Sequence, residues 1–212
     1  SAAQAATIIE QPDTTGSSKP DSASGTVTFT DADLSDTHAV TITGVAEAGA
    51  TTGLTEDEST ILNWLSLGTL TDATGGVTGA STWTFSAADK NFDYRAAGQT
   101  LTLTYTIQID DHHGGVVTQP ITITIDGSND APTLANVLAG TLVDTAANDT
   151  FSPLTGTLHG NDVDQGETAT LTYAALNSSH LAVNTPIAGL YGSLTVHADG
   201  TYTYVPDSAA IN

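Results

Sequence analysis

The stretch ITITIDGSNDAP, from Ile121 to Pro132, joins a strand pattern to an acidic turn. In its first half, β-branched apolar residues alternate with Thr at a period of two, which is typical of a half-buried β-strand. In its second half, Asp126, Asn129 and Asp130 bring carboxylate and amide oxygens together, and Pro132 prevents the strand ladder from continuing. The stretch predicts a junction between two domains that holds a hard cation.

The charge balance of the chain narrows the partners that it can have. It has 24 acidic and 3 basic residues, a formal net charge of -21. Nucleic acids and anionic membrane surfaces need clustered Lys and Arg, so we expect neither partner. Only 13% of residues are charged and 39% are hydrophobic, which is unlike an acidic disordered tail. Because Lys and Arg are scarce, divalent cations are the expected counter-charge.

Two absences exclude further classes of structure. The chain has no Cys, so it forms neither disulfides nor thiolate metal sites. No stretch reaches the roughly 20 apolar residues of a membrane-spanning helix.

Short segments rich in Thr, Val and Ile recur along the chain, with turn residues between them. This pattern predicts an all-β fold, an antiparallel Greek-key β-sandwich. The predicted strands cover residues 7–11, 25–30, 39–45, 81–86, 100–109 and 116–125.

One helix is predicted in the first domain. The segment LTEDESTILNWLSL, residues 54–67, has Thr55 followed three residues later by Glu58, which is the spacing of a capping box. The apolar residues expected on its buried side are Ile61, Leu62, Trp64 and Leu65. The loop at residues 69–78 is rich in Gly and reads as a turn.

The chain repeats part of itself. GTVTFTDADLSDTHAVTITGV, from Gly25, aligns with GTLHGNDVDQGETATLTYAAL, from Gly156, and STWTFSAAD, from Ser81, aligns with GTYTYVPDS, from Gly200. A repeat of this size predicts tandem copies of one domain, residues 1–131 and 132–212. The second copy has no counterpart of TLTLTYTIQI or ITITI, so we expect it to be incomplete at its C-terminus. Residues beyond the chain or another segment could complete it.

Carboxylates concentrate in turns at the ends of the predicted strands. A Greek-key sandwich brings such turns together, where like charges repel unless they are protonated or bridged by a cation. The D-x-D spacing in a tight turn suits the oxygen-rich coordination of Ca²⁺ better than that of Mg²⁺. The plain alternative is that Asp favours turns. These acids are Asp31, Asp33, Asp36, Asp110, Asp111, Asp126, Asp130, Asp162, Asp164 and Glu167.

Several of these motifs resemble those of cadherins, in cadherin order. GNDVDQGETATLTY from Gly160 resembles the D-x-D-x-G turn, FDYR from Phe92 the L-D-R-E segment, and DGSNDAP from Asp126 the D-x-N-D-N-x-P linker. The turn IDDHHGG from Ile109 resembles the acidic-glycine turn before the last strand. The segments GTVTFTDADLSDTH, WTFSAAD-x-x-FDY-x-AAG-x-TLTLTY and NDAP are similar to the VCBS-type tandem repeats of large bacterial RTX surface adhesins. The resemblance covers nearly the whole chain and implies tandem Greek-key β-sandwiches of the cadherin-like or immunoglobulin-like kind.

The resemblance implies two Ca²⁺ sites. The ligands implied for the site at the junction are Asp126, Asn129, Asp130, Asp162, Asp164 and Asp93. Arg95 stands where cadherins have Glu, which makes the Phe92 segment a weaker match. The ligands implied for a second site, at the outer end of the first copy, are Asp31, Asp33 and either Asp110 or Asp111.

The resemblance also implies a function. We expect a calcium-binding structural repeat of a secreted or cell-surface bacterial adhesin, acting in cell adhesion and biofilms, with Ca²⁺ making the inter-domain linker rigid. Its partners would be neighbouring repeats of the same chain, and the molecule would be a monomer. The alternative is a calcium-dependent lectin module for bacterial exopolysaccharide or another cell-surface glycan.

The sequence does not predict an enzyme. It contains no G-x-S-x-G motif, no phosphate-binding loop and no Cys nucleophile. His112 and His113 are adjacent at a strand end and would point apart, which does not suit Zn²⁺. Trp64 and Trp83 are expected in the core rather than stacked on a sugar.

Overall fold

The computed structural model describes residues 3–33 and 35–212, which divide into two compact units. The first comprises Ser1–Ala131 together with Val163–Gln165, and the second comprises Pro132–Asp162 and Gly166–Asn212. Strands dominate both units and the helices are short, so the prediction of an all-β fold is confirmed.

The first unit is a sandwich of two β-sheets. One sheet contains, in spatial order, β1 (Gln4–Ile9), β7 (Val116–Asp126), β6 (Thr100–Asp110) and β3 (Ala39–Gly49). The other contains β2 (Pro20–Phe29), β5 (Gly79–Ala88) and β4 (Leu65–Thr71). All neighbouring strands are antiparallel except β1, which runs parallel to β7.

The core of the first unit lies between these sheets. In β6 every second residue is buried, and the alternate positions are mostly Thr, so the strand follows the expected period of two. The same alternation holds in the second half of β7 and in β5. The largest fully buried apolar side chains are Trp83, Phe85, Tyr105, Phe92, Ile61, Leu101, Leu103, Ile107, Ile121, Ile123 and Ile125.

The predicted helix is present but shorter, and its cap differs. Helix α1 spans Glu58–Asn63, and its N-cap is Asp57 rather than Thr55. The Asp57 carboxylate accepts the backbone N–H of Thr60 at 2.7 Å, which satisfies a donor of the first turn. Ile61 is buried in the core as predicted.

The residues after α1 form a strand that the sequence analysis missed. Trp64 and Leu65 are buried, as predicted, but Leu65 already belongs to β4, which pairs with β5. The register of this pair shifts between Leu67 and Leu70, around Gly68. The bulge breaks the period-two pattern, and the segment therefore read as the end of a helix followed by a turn. Single-turn 3-10 helices span Thr74–Gly76, Asp89–Asn91 and Thr168–Thr170.

The second unit is built around one four-stranded antiparallel sheet. Its spatial order is β13 (Ile187–Gly189), β14 (Gly192–Val196), β15 (Thr201–Pro206) and β9 (Leu154–Thr157). Two short ladders complete it. β8 (Thr133–Leu134) pairs with β10 (Gly160–Asn161), and β11 (Ala175–Leu176) pairs with β12 (Ala182–Val183). A short helix α2 spans Ser208–Ile211.

A glycine paired with an aromatic ring recurs in both units. In the first unit Gly25 lies opposite Trp83, and in the second Gly156 lies opposite Tyr202. In each pair a Cβ added to the glycine would lie less than 3.0 Å from ring atoms, so the ring lies over the glycine backbone. The sequence alignment of the two copies matches these same residues. The two glycine–aromatic pairs thus lie at positions that the sequence alignment matches.

We expect the Gly25→Ala substitution to destabilise the first unit by about 1–3 kcal/mol, because the new methyl group would overlap the buried Trp83 ring. Gly44→Ala is the matched control, since nothing lies within 4 Å of its added Cβ. Denaturant unfolding followed by tryptophan fluorescence measures both, since Trp64 and Trp83 are the two tryptophans and both lie in the first unit. Equal losses of stability would contradict the prediction.

Candidate metal centre

The first unit holds a cluster of buried carboxylates. Glu10, Asp89 and Asp93 are all buried, and each offers an oxygen within 4.8 Å of the others. Asp130 is 1% exposed and lies close enough for its charge to act on both Glu10 and Asp93. We call these four residues the buried cluster. Asp164 adjoins it and accepts the backbone N–H of Asp130 at 2.8 Å.

Parallel strand pairing places Glu10 in the cluster. β1 runs beside β7 with Ile9 opposite Asp126, so the chain after β1 continues beside the acidic turn after β7. The N–H of Glu10 donates to the carbonyl of Asp126 at 3.0 Å. The hydroxyl and the N–H of Ser128 both donate to Oε2 of Glu10, the N–H at 2.9 Å. Glu10 and Ser128 are 118 residues apart in sequence.

Asp89 and Asp93 enter the cluster from the turn after β5. The 3-10 helix Asp89–Asn91 reverses the chain, and Phe92 closes the turn by donating its N–H to the carbonyl of Asp89 at 2.8 Å. Both oxygens of Asp89 accept hydrogen bonds, from the N–H of Gln11 at 3.1 Å and from the hydroxyl of Thr14 at 2.6 Å. The segment that follows β1 is thereby tied to Asp89.

In three carboxylates of the buried cluster, one oxygen accepts a hydrogen bond and the other is buried without a hydrogen-bond partner. Oδ2 of Asp93 accepts the N–H of Gly16 at 2.7 Å, and Oδ2 of Asp130 accepts the hydroxyl of Thr15 at 3.2 Å. Glu10 uses Oε2 for Ser128. The oxygens that are buried without a hydrogen-bond partner are Oε1 of Glu10, Oδ1 of Asp93 and Oδ1 of Asp130. Unpaired buried acceptors are costly, and a cation would satisfy them together.

Burial makes two of these carboxylates, Glu10 and Asp93, harder to ionise. It raises the pKa of Glu10 from its ordinary value of 4.5 to about 7, and the charges of Asp130 and Asp89 add to the rise although hydrogen bonds from Ser128 oppose it. Burial, with the charges of Asp130 and Asp89, also raises the pKa of Asp93. The same causes that raise these pKa values favour binding of a cation, because a positive charge would stabilise the ionised form.

No basic side chain forms an ion pair with the buried cluster among the described residues. Arg95 is fully buried in the same unit, but its guanidinium lies over the ring of Phe92, 4.7 Å from the centroid. Its three nitrogens have no hydrogen-bond partner, and burial lowers the pKa of Arg95. The charge of Glu10 nevertheless acts on Arg95, opposing the effect of burial on its pKa. The donor set still fits a hard divalent cation, because several buried carboxylate oxygens converge.

A second group of acids, the outer cluster, already has a counter-charge. Asp31, Asp36 and Asp111 each offer an oxygen within 4.8 Å of the others. The ring of His38 joins Asp31 to Asp72, with Nε2 at 2.7 Å from Asp31 and Nδ1 at 2.5 Å from Asp72. Burial alone would lower the pKa of His38, but the hydrogen bonds to Asp72 and Asp31 outweigh it, so the pKa of His38 is raised.

His113 adds to this positive charge. Its Nδ1 lies 3.3 Å from Oδ2 of Asp36, and a hydrogen bond to the Asp111 carbonyl, together with the charge of Asp36, raises the pKa of His113. When protonated, these imidazoles would balance the charge of the neighbouring carboxylates without a metal ion. The outer cluster is accordingly the weaker of the two candidates.

The predicted ligands divide between these surroundings. Asp93, Asp130 and Asp164 come together in the first unit, and Asp31 meets Asp111 in the outer cluster. The carboxylate of Asp126 instead accepts the hydroxyl of Thr100 at 3.1 Å. The side chain of Asn129 is exposed and donates to the carbonyl of Asp130 at 2.7 Å.

Three further predicted ligands are engaged locally. Asp162 belongs to the second unit, where its N–H donates to the hydroxyl of Thr168 at 2.8 Å. Asp33 is exposed and donates its N–H to the carboxylate of Asp31 at 2.7 Å. The carboxylate of Asp110 accepts the N–H of His112 at 2.7 Å, which caps the turn.

The sequence analysis missed Glu10, Asp89 and His38. Glu10 and Asp89 do follow strands β1 and β5 directly, and that position is the signal shared by the acids that were recognised. Glu10 stood alone in a segment predicted as a strand. Asp89 ends STWTFSAAD, a segment used only for the internal repeat and the resemblance to VCBS-type repeats. His38 follows the recognised acids of the outer cluster by two residues.

Comparison with known proteins adds little to this description. No family model matches the chain, and no curated protein matches it. Among solved structures, one similar chain is titled zebrafish RET cadherin-like domains 1 to 4. It is 13% identical, with a TM-score of 0.30, and the match covers 100% of this chain and 44% of that chain. The chain thus spans less than half the length of that structure. A similarity this low indicates neither a family nor a function for this chain. The fold assignment is based on the strand pairing described above.

Among the described residues, no helix is long and apolar enough to cross a membrane.

Proposed function

We propose that the first unit binds Ca²⁺ at the buried cluster and that the chain is a calcium-stabilised structural repeat rather than an enzyme. The observation that carries the proposal is the set of unpaired buried oxygens on Glu10, Asp93 and Asp130. Carboxylates without a local counter-ion in a buried site need a cation or a proton. Ca²⁺ fits because it accepts many oxygen ligands in flexible geometry.

The proposed role is mechanical. Asp130 lies in the acidic turn that ends the first unit, and the neighbouring Asp164 lies in the short segment Val163–Gln165 that returns to it. Ca²⁺ bound by these residues would hold the acidic turn and the segment Val163–Gln165 to the first unit. It would thereby restrict the linker. The resemblance to VCBS-type repeats supports a setting in a secreted or surface-attached bacterial adhesin. Neighbouring repeats would be its partners, and each molecule would be a monomer.

Calorimetric titration with Ca²⁺ tests the site itself. Extracellular modules commonly bind with a Kd of about 10⁻⁴ to 10⁻³ M. We expect binding in that range by the intact chain and a loss of at least roughly tenfold in affinity for Asp93→Asn, since that change removes the charge of a buried ligand. Asp126→Asn is the matched control, because Asp126 bonds to Thr100 instead. Equal effects of the two substitutions would reject the buried cluster as the site.

Small-angle scattering with Ca²⁺ and with chelator tests the mechanical role. If Ca²⁺ restricts the linker, the chelated chain should sample more compact and more varied shapes. Asp93→Asn should give the chelated profile even in Ca²⁺. Identical profiles under both conditions would leave calcium binding possible but would reject the spacer role.

A calcium-dependent lectin remains the second hypothesis from the sequence. The structure provides no exposed tryptophan for sugar stacking, since Trp64 and Trp83 are buried in the core. A glycan array probed with and without Ca²⁺ separates the two functions. A spacer binds no glycan under either condition, whereas a lectin binds acidic exopolysaccharide only when Ca²⁺ is present.

A further inference from the structure

Arg95 brings a fully buried positive charge close to the buried cluster. It stands two residues after Asp93 and is 0% exposed. Its backbone packs against the acidic turn after β7, since a Cβ added to Gly127 would lie 2.5 Å from the carbonyl oxygen of Arg95. Gly127 immediately precedes Ser128, whose N–H donates to Glu10 at 2.9 Å. Arg95 is therefore held beside the turn that positions Glu10.

The charge of this guanidinium is not neutralised by direct contact. Among the described residues, no carboxylate forms an ion pair with Arg95. Its three nitrogens are buried without a hydrogen-bond partner, and its central carbon lies 4.7 Å from the centroid of the Phe92 ring. The charges of Glu10 and Asp21 act on Arg95 through space, which opposes the lowering of its pKa by burial. A guanidinium keeps its proton in proteins, so a fixed positive charge lies near these acids.

A fixed positive charge near a cation site weakens the binding of every cation. The repulsion follows Coulomb's law, so it is proportional to the charge of the ion, and it is larger where water is excluded. A trivalent ion therefore loses about one and a half times as much binding free energy as a divalent ion at the same position. A packing effect of the same side chain has no such dependence on ionic charge.

We propose that Arg95 is a specificity-determining residue of the buried cluster, which weakens cation binding and disfavours trivalent ions relative to Ca²⁺. This inference rests on the proposed function, because it concerns the same calcium site. The affinity of an oxygen-ligand site rises with the number of charged ligands, and the buried cluster has four carboxylates. Arg95 offsets part of their charge from within the protein, where salt screens it little. The calcium site can then stay in the weak, reversible range of extracellular modules.

Titration of the intact chain with Ca²⁺ and with Tb³⁺ tests the proposal. Tb³⁺ is close to Ca²⁺ in size and carries one more positive charge. The variant Arg95→Met removes the positive charge and keeps a long side chain that suits a buried position beside Phe92. We expect its affinity for Ca²⁺ to rise by at least roughly tenfold and its affinity for Tb³⁺ by at least about thirtyfold, as proportionality to ionic charge requires. Isothermal titration calorimetry measures both affinities.

Displacement of Ca²⁺ by Tb³⁺ gives a second readout. The ratio of the Tb³⁺ affinity to the Ca²⁺ affinity should rise by at least roughly threefold in Arg95→Met. Because both states carry an ion, this ratio does not depend on the stability of the ion-free variant. Lys90→Met is the matched control. Lys90 is exposed in the turn after β5, where solvent screens its charge, so each affinity should change by no more than about twofold.

The failure of this inference differs from the failure of the calcium site. Equal changes in the two affinities, including no change in either, would show that the charge of Arg95 does not act on the ion. A fall in both affinities would show that Arg95 only positions the ligands. Each of these results overturns the proposal and leaves the calcium site intact. If Asp93→Asn leaves calcium binding by the chain unchanged, the buried cluster is not the site, and the role of Arg95 is rejected with it.

Discussion

Calcium is expected to raise the midpoint of thermal unfolding of the first unit, and the Asp93→Asn substitution is expected to remove most of that rise. Binding to the native state alone stabilises by RT ln(1 + [L]/Kd). For a Kd of about 10⁻⁴ to 10⁻³ M and about 10 mM Ca²⁺, this gives about 1.4 to 2.7 kcal/mol. For a unit of this size the shift would be roughly 4 to 11 °C. Fluorescence of Trp64 and Trp83 follows this transition without a signal from the second unit.

The controls for this measurement come from the chain itself. Asp126→Asn removes an acid from the same turn, but its carboxylate bonds to Thr100, so the calcium shift should be retained. Asp31→Asn tests the outer cluster, where His38 already supplies positive charge, and it too should leave most of the shift. A shift that survives Asp93→Asn and disappears with Asp31→Asn would place the cation in the outer cluster instead.

The stability of the calcium-free protein is expected to fall as the pH rises from about 4.5 to about 7. Burial raises the pKa of Glu10 from 4.5 to about 7 in the folded chain, so the folded state holds a proton there that the unfolded state has already released. Stability is therefore greatest below pH 4.5 as far as this group is concerned, and it is lost as the pH passes the folded-state pKa. The shift corresponds to a change on the order of 3 kcal/mol. Burial raises the pKa of Asp93 in the same direction.

The Glu10→Gln variant gives a specific test, because its effect on the free energy of unfolding should change sign when calcium is present. In chelator at pH 8 the variant should be more stable than the unmodified chain, since it removes an unfavourable buried charge while keeping an oxygen for Ser128. In Ca²⁺ it should be less stable, since it removes a ligand. Unfolding in denaturant at several pH values, with and without chelator, measures both. A variant that is less stable under both conditions would show that Glu10 is a hydrogen-bonding residue and not a metal ligand.

Local sequence patterns were sufficient for much of the fold. The alternation of aliphatic residues with Thr in β6 and β7 identified these strands because both faces of a half-buried strand leave their signature in consecutive residues. The pattern failed at β4, where the shift of register around Gly68 destroys the period of two. It also gave α1 too many residues, because Trp64 and Leu65 are apolar for reasons of core packing rather than helix periodicity.

The candidate metal site was only half visible in the sequence. Asp130 and Asp164 stand in acidic turns, and Asp93 stands in the segment that resembles L-D-R-E, so all three were among the predicted ligands. Glu10 was not, because it joins them through the parallel pairing of β1 with β7, a contact across more than a hundred residues that no local pattern encodes. Asp126 lies outside the buried cluster for a different reason. It stands in the right turn, but its side chain turns towards Thr100.

The glycine–aromatic pair has a consequence for how such a chain could be lengthened. Gly25 with Trp83 and Gly156 with Tyr202 each fix the alignment of two strands from within a single copy. A unit whose strand register is set by its own glycine–aromatic pair does not depend on a neighbouring unit for correct pairing among similar Thr-rich strands. Units of this kind could then be added, deleted or reordered by recombination, and each would keep its own strand register. The aromatic residue is Trp in the first unit and Tyr in the second, so either ring can lie over the glycine.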